Sequence, residues 1–185
     1  MNRVTRPIAA MLALLVAGAL DVAAARTAAP SGAPDGQRAP TLSGEWLNSR
    51  PLTRADLAGK VVLVEFWTFD CINCRRTVPA MKRLHARFRE GGDVVIVGVH
   101  TPELAHERDP RAVQRAIHRL QLPYPVLLDN AMANWEAFDN HYWPALYVID
   151  RRGVIRDLHI GELHEGTPAW RSVVALIESL RRERA

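Results

Sequence analysis

The chain has 185 residues, 48% of them hydrophobic, with 24 Lys and Arg against 20 Asp and Glu for a net charge of +4. The cations, 22 Arg and two Lys, are scattered over helix faces rather than gathered into a block, which gives nucleic-acid binding little support. Only two cysteines are present, Cys71 and Cys74, and a disulfide over so short a loop restrains little of the unfolded chain, so a structural staple is a poor use of them.

The chain opens with "MNRVTRP", which carries Arg3 and Arg6 and no acid, followed by the apolar run Ile8 to Leu20 and small residues at Ala23 and Ala25. That order is the pattern of a secretory signal peptide over residues 1–25. The run falls short of the about 20 residues a membrane span needs, and an uncleaved anchor is the alternative reading. Residues 26–42, "RTAAPSGAPDGQRAPTL", are rich in Pro, Gly, Ala and Ser without apolar period, and read as a flexible linker. Residues 43–185 are one domain's worth of chain, long enough to bury a core, with no internal repeat.

Within that domain "VVLVEFW", Val61 to Trp67, is a continuous apolar run suited to a strand buried on both faces. After the cysteines, Val78, Met81, Leu84 and Phe88 recur at helical spacing with Arg and Lys between them, until Gly91 and Gly92 stop the helix. "DVVIVGVH" is a second buried strand. Asp109 and Pro110 open an amphipathic helix that Pro123 ends, and "YPVLLD" is a third strand. "NWEAFDN" reads as a short helix or turn. "ALYVIDRRGVIRDLHIG" is an antiparallel hairpin turning at Arg151 to Gly153, and Thr167 with Pro168 caps the closing helix. The order specifies an α/β fold: a mixed central sheet with helices on both faces.

Cys71 falls where a strand gives way to a helix. A helix N-terminus presents unpaired N–H groups and partial positive charge, both favouring a thiolate. Cys74 lies one turn further in, where it is shielded. An exposed sulfur that attacks, beside a shielded one that closes the ring and releases product, is what disulfide exchange needs. Zinc also uses Cys-x-x-Cys, but a closed site takes four ligands and no second cysteine pair is present.

"FWTFDCINC" followed by "VP" resembles the strand, active site and first helix of the thioredoxin superfamily. With "VIVGVHTPE", "YPVLLDN" and "YWPALYVIDRRG" the chain is similar to the thioredoxin-like domain at the C-terminus of DipZ-type proteins, within the exported TlpA-like group, from about Ser43 to Leu180. The resemblance implies a thioredoxin fold with a redoxin-type strand–helix insert and thiol–disulfide exchange without a cofactor. It makes Cys71 and Cys74 the redox pair. It puts Glu65 where thioredoxins bury an acid, as proton acceptor for the resolving thiol. Pro79 matches the proline inside the first helix and Pro144 the cis-proline facing the disulfide, which makes Trp143 a substrate-contact residue. Trp67 and Phe69 flank the site and join the substrate-side candidates, although core packing accounts for Trp67 better. Asp70 opposes thiolate formation if it points inward. His100 ends a strand beside "TPE" at the rim in this register, although a structural or solvent-facing role accounts for it better, and His141 lies close to the cis-proline loop.

The resemblance implies disulfide-containing protein substrates, a reducing direction, an exported location and a membrane thiol transporter of the DsbD or CcdA type as electron donor. Two rivals stay open. A Sco-type copper-delivery protein pairs a redoxin fold with two cysteines and a downstream histidine, here His141, but spaces its cysteines three apart. A thiol peroxidase places Thr three residues before the reactive Cys, as Thr68 stands here, but its proline seven before is Val64.

Overall fold

A computed structural model describes Met1 and residues 36–183; the segment read as a signal peptide, and the linker up to residue 35, lie outside the described residues. The elements run β1 (Glu45–Leu47), α1 (Arg54–Leu57), β2 (Val61–Trp67), α2 (Ile72–Phe88), β3 (Val94–His100), α3 (Pro110–Leu120), β4 (Val126–Leu128), α4 (Ala133–Ala137), β5 (Ala145–Ile149), β6 (Ile155–Ile160) and α5 (Pro168–Arg182). They build one six-stranded sheet in the order β1-β4-β3-β2-β5-β6. β3 runs parallel to β2 and β4, while β5 and β6 return antiparallel and β1 closes the far edge antiparallel to β4. This is the mixed thioredoxin-like sheet with helices on both faces that the sequence predicts.

β2 lies at the centre and every one of its residues is buried. Its side chains alternate between two cores. Val61, Leu63 and Trp67 face α2, α3 and α5, whose Met81, Leu84, Val113, Ile117, Val173 and Ile177 fill that side. Val62, Val64 and Phe66 face the other core. There Phe66 meets Trp135, Phe138 and Tyr147 edge-on, with centroids 5.4 to 5.9 Å apart. A large buried aromatic of this kind is worth about 3–5 kcal/mol against alanine.

Two short elements escape the sequence reading. β1 has three residues and α1 a single turn, set by a capping box between Thr53 and Asp56. Residues 36–42, read as linker, lie against the fold. Ile155 donates to Gln37 at 2.8 Å, Ala39 donates to Gly153 at 2.8 Å, and Ala39 and Leu42 pack on the second core. Backbone pairing, invisible to composition, accounts for that difference.

α2 runs on through Arg89 into a 3-10 turn over Arg89–Gly91, and Gly92 at φ 63°, a left-handed conformation, ends that turn. At the other end, β2 stops at Trp67, and the chain passes through Thr68, Phe69 and Asp70 before it enters α2 at Cys71. The helix begins there with no acid in its first turn, so no side-chain carboxylate of that turn offsets its positive end.

Gly98 on β3 stands opposite Glu65 on β2 and is there for space rather than for its backbone. A Cβ at Gly98 would sit 2.9 Å from Trp67 Nε1 and 3.3 Å from Tyr124 Cε2. Gly98→Ala is therefore expected to lower stability by about 1–3 kcal/mol through overpacking, read as a reduced denaturant midpoint at unchanged slope.

Candidate active site

Cys71 is the N-cap residue of α2, and its Sγ accepts a hydrogen bond from the Cys74 N–H at 3.1 Å. It is partly exposed, whereas Cys74 is 1% exposed, and both thiols are free. A hydrogen bond from the Cys74 side chain is the largest influence on Cys71, and the N–H groups of Cys74 and Asn73 add to it. Together they outweigh burial and the charge of Glu103, bringing the Cys71 thiol down to about 7. Donating to Cys71, and then burial, push the Cys74 thiol up. One cysteine is thus ready to ionise and the other holds its proton.

Glu65 lies on the α2 side of β2 and is 2% exposed. Burial pushes its carboxyl up to about 8; the Tyr124 hydroxyl, donating to Oε2 at 3.3 Å, works against that shift, and the charge of Cys71 adds to it. The Glu65 charge in turn acts on Cys74. The structure thus brings Cys71, Cys74 and Glu65 within electrostatic reach of one another.

The Trp143–Pro144 peptide bond is cis. Trp143 Nε1 donates to the Thr101 carbonyl at 3.0 Å, and its ring stacks on Trp135 with centroids 4.0 Å apart. Trp143 is only partly buried and packs on the same core as Cys71. The other two substrate-side candidates are less open. Trp67 is 2% exposed, which removes it from substrate contact and makes it part of the core. Phe69 is 8% exposed and stacks on His100 at 5.5 Å, so its ring is used mainly inside the protein.

His100 is fully buried, held between Trp67 and Phe69, and burial brings its imidazole down to about 4. It is a neutral packing residue rather than part of the rim. His141 is exposed and pairs with Asp139 at 3.1 Å. Among the described residues no group of three His, Cys, Asp or Glu side chains gathers where it could hold a metal. Asp70 points outward, pairing with His106 at 2.7 Å and with Arg75 at 3.8 Å.

The sequence reading misses Glu107. This residue is fully buried in a 3-10 turn of the segment between β3 and α3. Its Oε1 accepts from the Asp70 N–H at 3.1 Å and from the Thr68 hydroxyl. Its Oε2 accepts from the N–H groups of Glu103 at 2.8 Å and Leu104 at 2.7 Å. Burial pushes this carboxyl up, but the Thr68 hydroxyl and the three amides overcome it and hold Glu107 below the usual carboxylate range. The only sequence trace is an acid three residues after Leu104, half of a capping box without its Ser or Thr. Tyr124, the partner of Glu65, is equally silent in "LPYP".

The AhpC/TSA family matches residues 36–158. DipZ of Mycobacterium tuberculosis is 41% identical over 129 residues, which are 67% of this chain and 18% of DipZ; the chain thus spans under a fifth of that relative. The thiol-disulfide oxidoreductase YkuV of Bacillus subtilis is 31% identical over 68% of this chain and 84% of its own length. Among solved structures, the thioredoxin-like superfamily protein SPOA0173 superposes with a TM-score of 0.72 at 30% identity, over 80% of this chain and 98% of its own. The chain belongs to the AhpC/TSA family and carries a thioredoxin-like fold.

Proposed function

We propose that the protein is an exported reductant of protein disulfides. The observation that carries the proposal is the split between the two thiols at the start of α2: one is partly open and near 7, the other sealed and raised, with the buried Glu65 in electrostatic reach. The Cys71 thiolate attacks one sulfur of a substrate disulfide, and the other substrate sulfur leaves as a thiolate. Cys74 then gives its proton to the Glu65 carboxylate and attacks Cys71 Sγ. The second substrate thiolate leaves, so the substrate gains two electrons and the Cys71–Cys74 disulfide holds the oxidation. Trp143 and Pro144 supply the backbone edge along which an extended substrate lies.

A nucleophile near 7 matches thioredoxin, about 7, and not the oxidant DsbA, about 3.5, which supports the reducing direction. An exported reductant works against an oxidising compartment, so it needs a membrane thiol transporter of the DsbD or CcdA type as donor. The signal pattern in residues 1–25 and the similarity to DipZ support export. The peroxidase reading loses ground because the Thr68 hydroxyl is committed to Glu107 and to His100, not to Cys71.

Cys74→Ser is expected to accumulate a mixed disulfide through Cys71 on non-reducing gels, and Cys71→Ser to form none. The Cys71–Cys74 couple, equilibrated against glutathione and followed by Trp fluorescence, should lie near about −270 mV; a value near about −120 mV would reverse the direction.

Glu65 provides a second test. Its carboxyl keeps a proton in the folded protein up to about 8 but loses it near 4.5 when unfolded, so stability falls as pH rises between those values. Glu65→Gln should therefore be more stable than the parent by a few kcal/mol at pH 8, and by about 1 kcal/mol or less at pH 5. The resolving step should rise with pH through about 8 in the parent and lose that limb in Glu65→Gln. Stopped-flow single turnovers separate it from the attack by Cys71.

A further inference from the structure

Apart from Met1 at the chain start, the exposed large hydrophobic residues among the described residues are Ile72 at 50%, Leu104 at 50% and Tyr142 at 39%. A single exposed Leu needs no explanation. These three, however, occupy the start of α2 and two loops that are tied together beside Cys71. Ile72 follows Cys71 directly. Leu104 belongs to the segment that Glu107 joins, through the N–H groups of Glu103, Leu104 and Asp70, to the residue just before Cys71. Tyr142 precedes Trp143, whose indole N–H holds the Thr101 carbonyl at the root of that same segment.

Charge on this rim is uneven. Asp70 is answered by His106 and Arg75. Glu103 is exposed, close enough for its charge to act on Cys71, and has no salt-bridge partner among the described residues. The rim thus combines apolar side chains with one unanswered carboxylate.

We propose that the tip of the β3–α3 segment, Glu103 and Leu104, is a specificity-determining wall for an extended polypeptide whose disulfide cysteine is flanked by apolar residues and by neutral or basic ones. This rests on the oxidoreductase reading. Leu104 covers an apolar side chain next to the substrate cysteine. Glu103 repels acidic neighbours, so small anionic disulfides are poor substrates.

The test compares three disulfides: a peptide with Leu and Lys beside its cysteine, the same peptide with Asp at both positions, and uncharged 2-hydroxyethyl disulfide. In the parent, kcat/KM should favour the Leu–Lys peptide over the Asp peptide. In Leu104→Ser, the ratio of kcat/KM for the Leu–Lys peptide to that for hydroxyethyl disulfide should fall about tenfold, and Leu104→Met should restore it. In Glu103→Lys, the ratio for the Asp peptide should rise. An unmoved ratio in Leu104→Ser, or equal use of the two peptides by the parent, overturns the proposal. A parent protein that reduces none of the three disulfides overturns the oxidoreductase reading itself.

Discussion

Everything at the reactive end of the molecule depends on a carboxylate that never touches solvent. Glu107 receives the Asp70 N–H and the Thr68 hydroxyl on one oxygen and two N–H groups of the β3–α3 segment on the other. Hydrogen bonds to an ionised acceptor are about twice as strong as neutral ones, and a buried carboxylate without them would be expensive. The anchor therefore fixes the loop of Thr68, Phe69 and Asp70 between β2 and α2. Without it the N-cap position of Cys71 would be a matter of loop conformation rather than of structure. It also sets how the β3–α3 segment meets the redox pair, so the insert and the active-site loop behave as one unit.

A second constraint comes from β2 being buried on both faces. A polar side chain on such a strand has no water to turn to, and Glu65 answers with a displaced proton affinity. The space for its partner is made on the neighbouring strand, where Gly98 leaves room for the Tyr124 ring and the Trp67 indole. The buried acid is thus maintained by three residues that are far apart in the sequence and share no motif. Burial is the main cause of its shift, whereas the opposing shifts of the two cysteines come first from the hydrogen bond between them.

Much of this is legible in the sequence, and the rest is hidden for identifiable reasons. Continuous apolar runs announce β2 and β3, and 3.6-residue periods with Thr, Asp, Pro and Gly at their ends announce α2, α3 and α5, because burial and capping act on local sequence. The cysteine pair and its placement at a strand–helix junction are visible for the same reason. β1 and the docking of residues 36–42 are not, since a few backbone hydrogen bonds to a distant strand leave no composition signal. Glu107 and Tyr124 stay hidden because the partners that tie them to the site lie, respectively, 37 and 59 positions away. Trp67 flanks the cysteines along the chain, but strand alternation turns its ring into the core, the packing that accounts for it better in the sequence as well.

The balance of charge around Cys71 ties these points together. The Cys74 side chain and the amides of Cys74 and Asn73 favour a thiolate, while burial and Glu103 oppose it. Asp70, the acid nearest in sequence, is drawn outward by His106 and Arg75. No cation stands among the main influences on the sulfur, so the thiol is lowered only moderately. A more strongly stabilised thiolate would stabilise the reduced form and make the pair an oxidant, the condition that defines DsbA. Glu103 therefore offsets part of what the amides give the thiolate, and under the proposed function the same charge biases which polypeptides approach the pair.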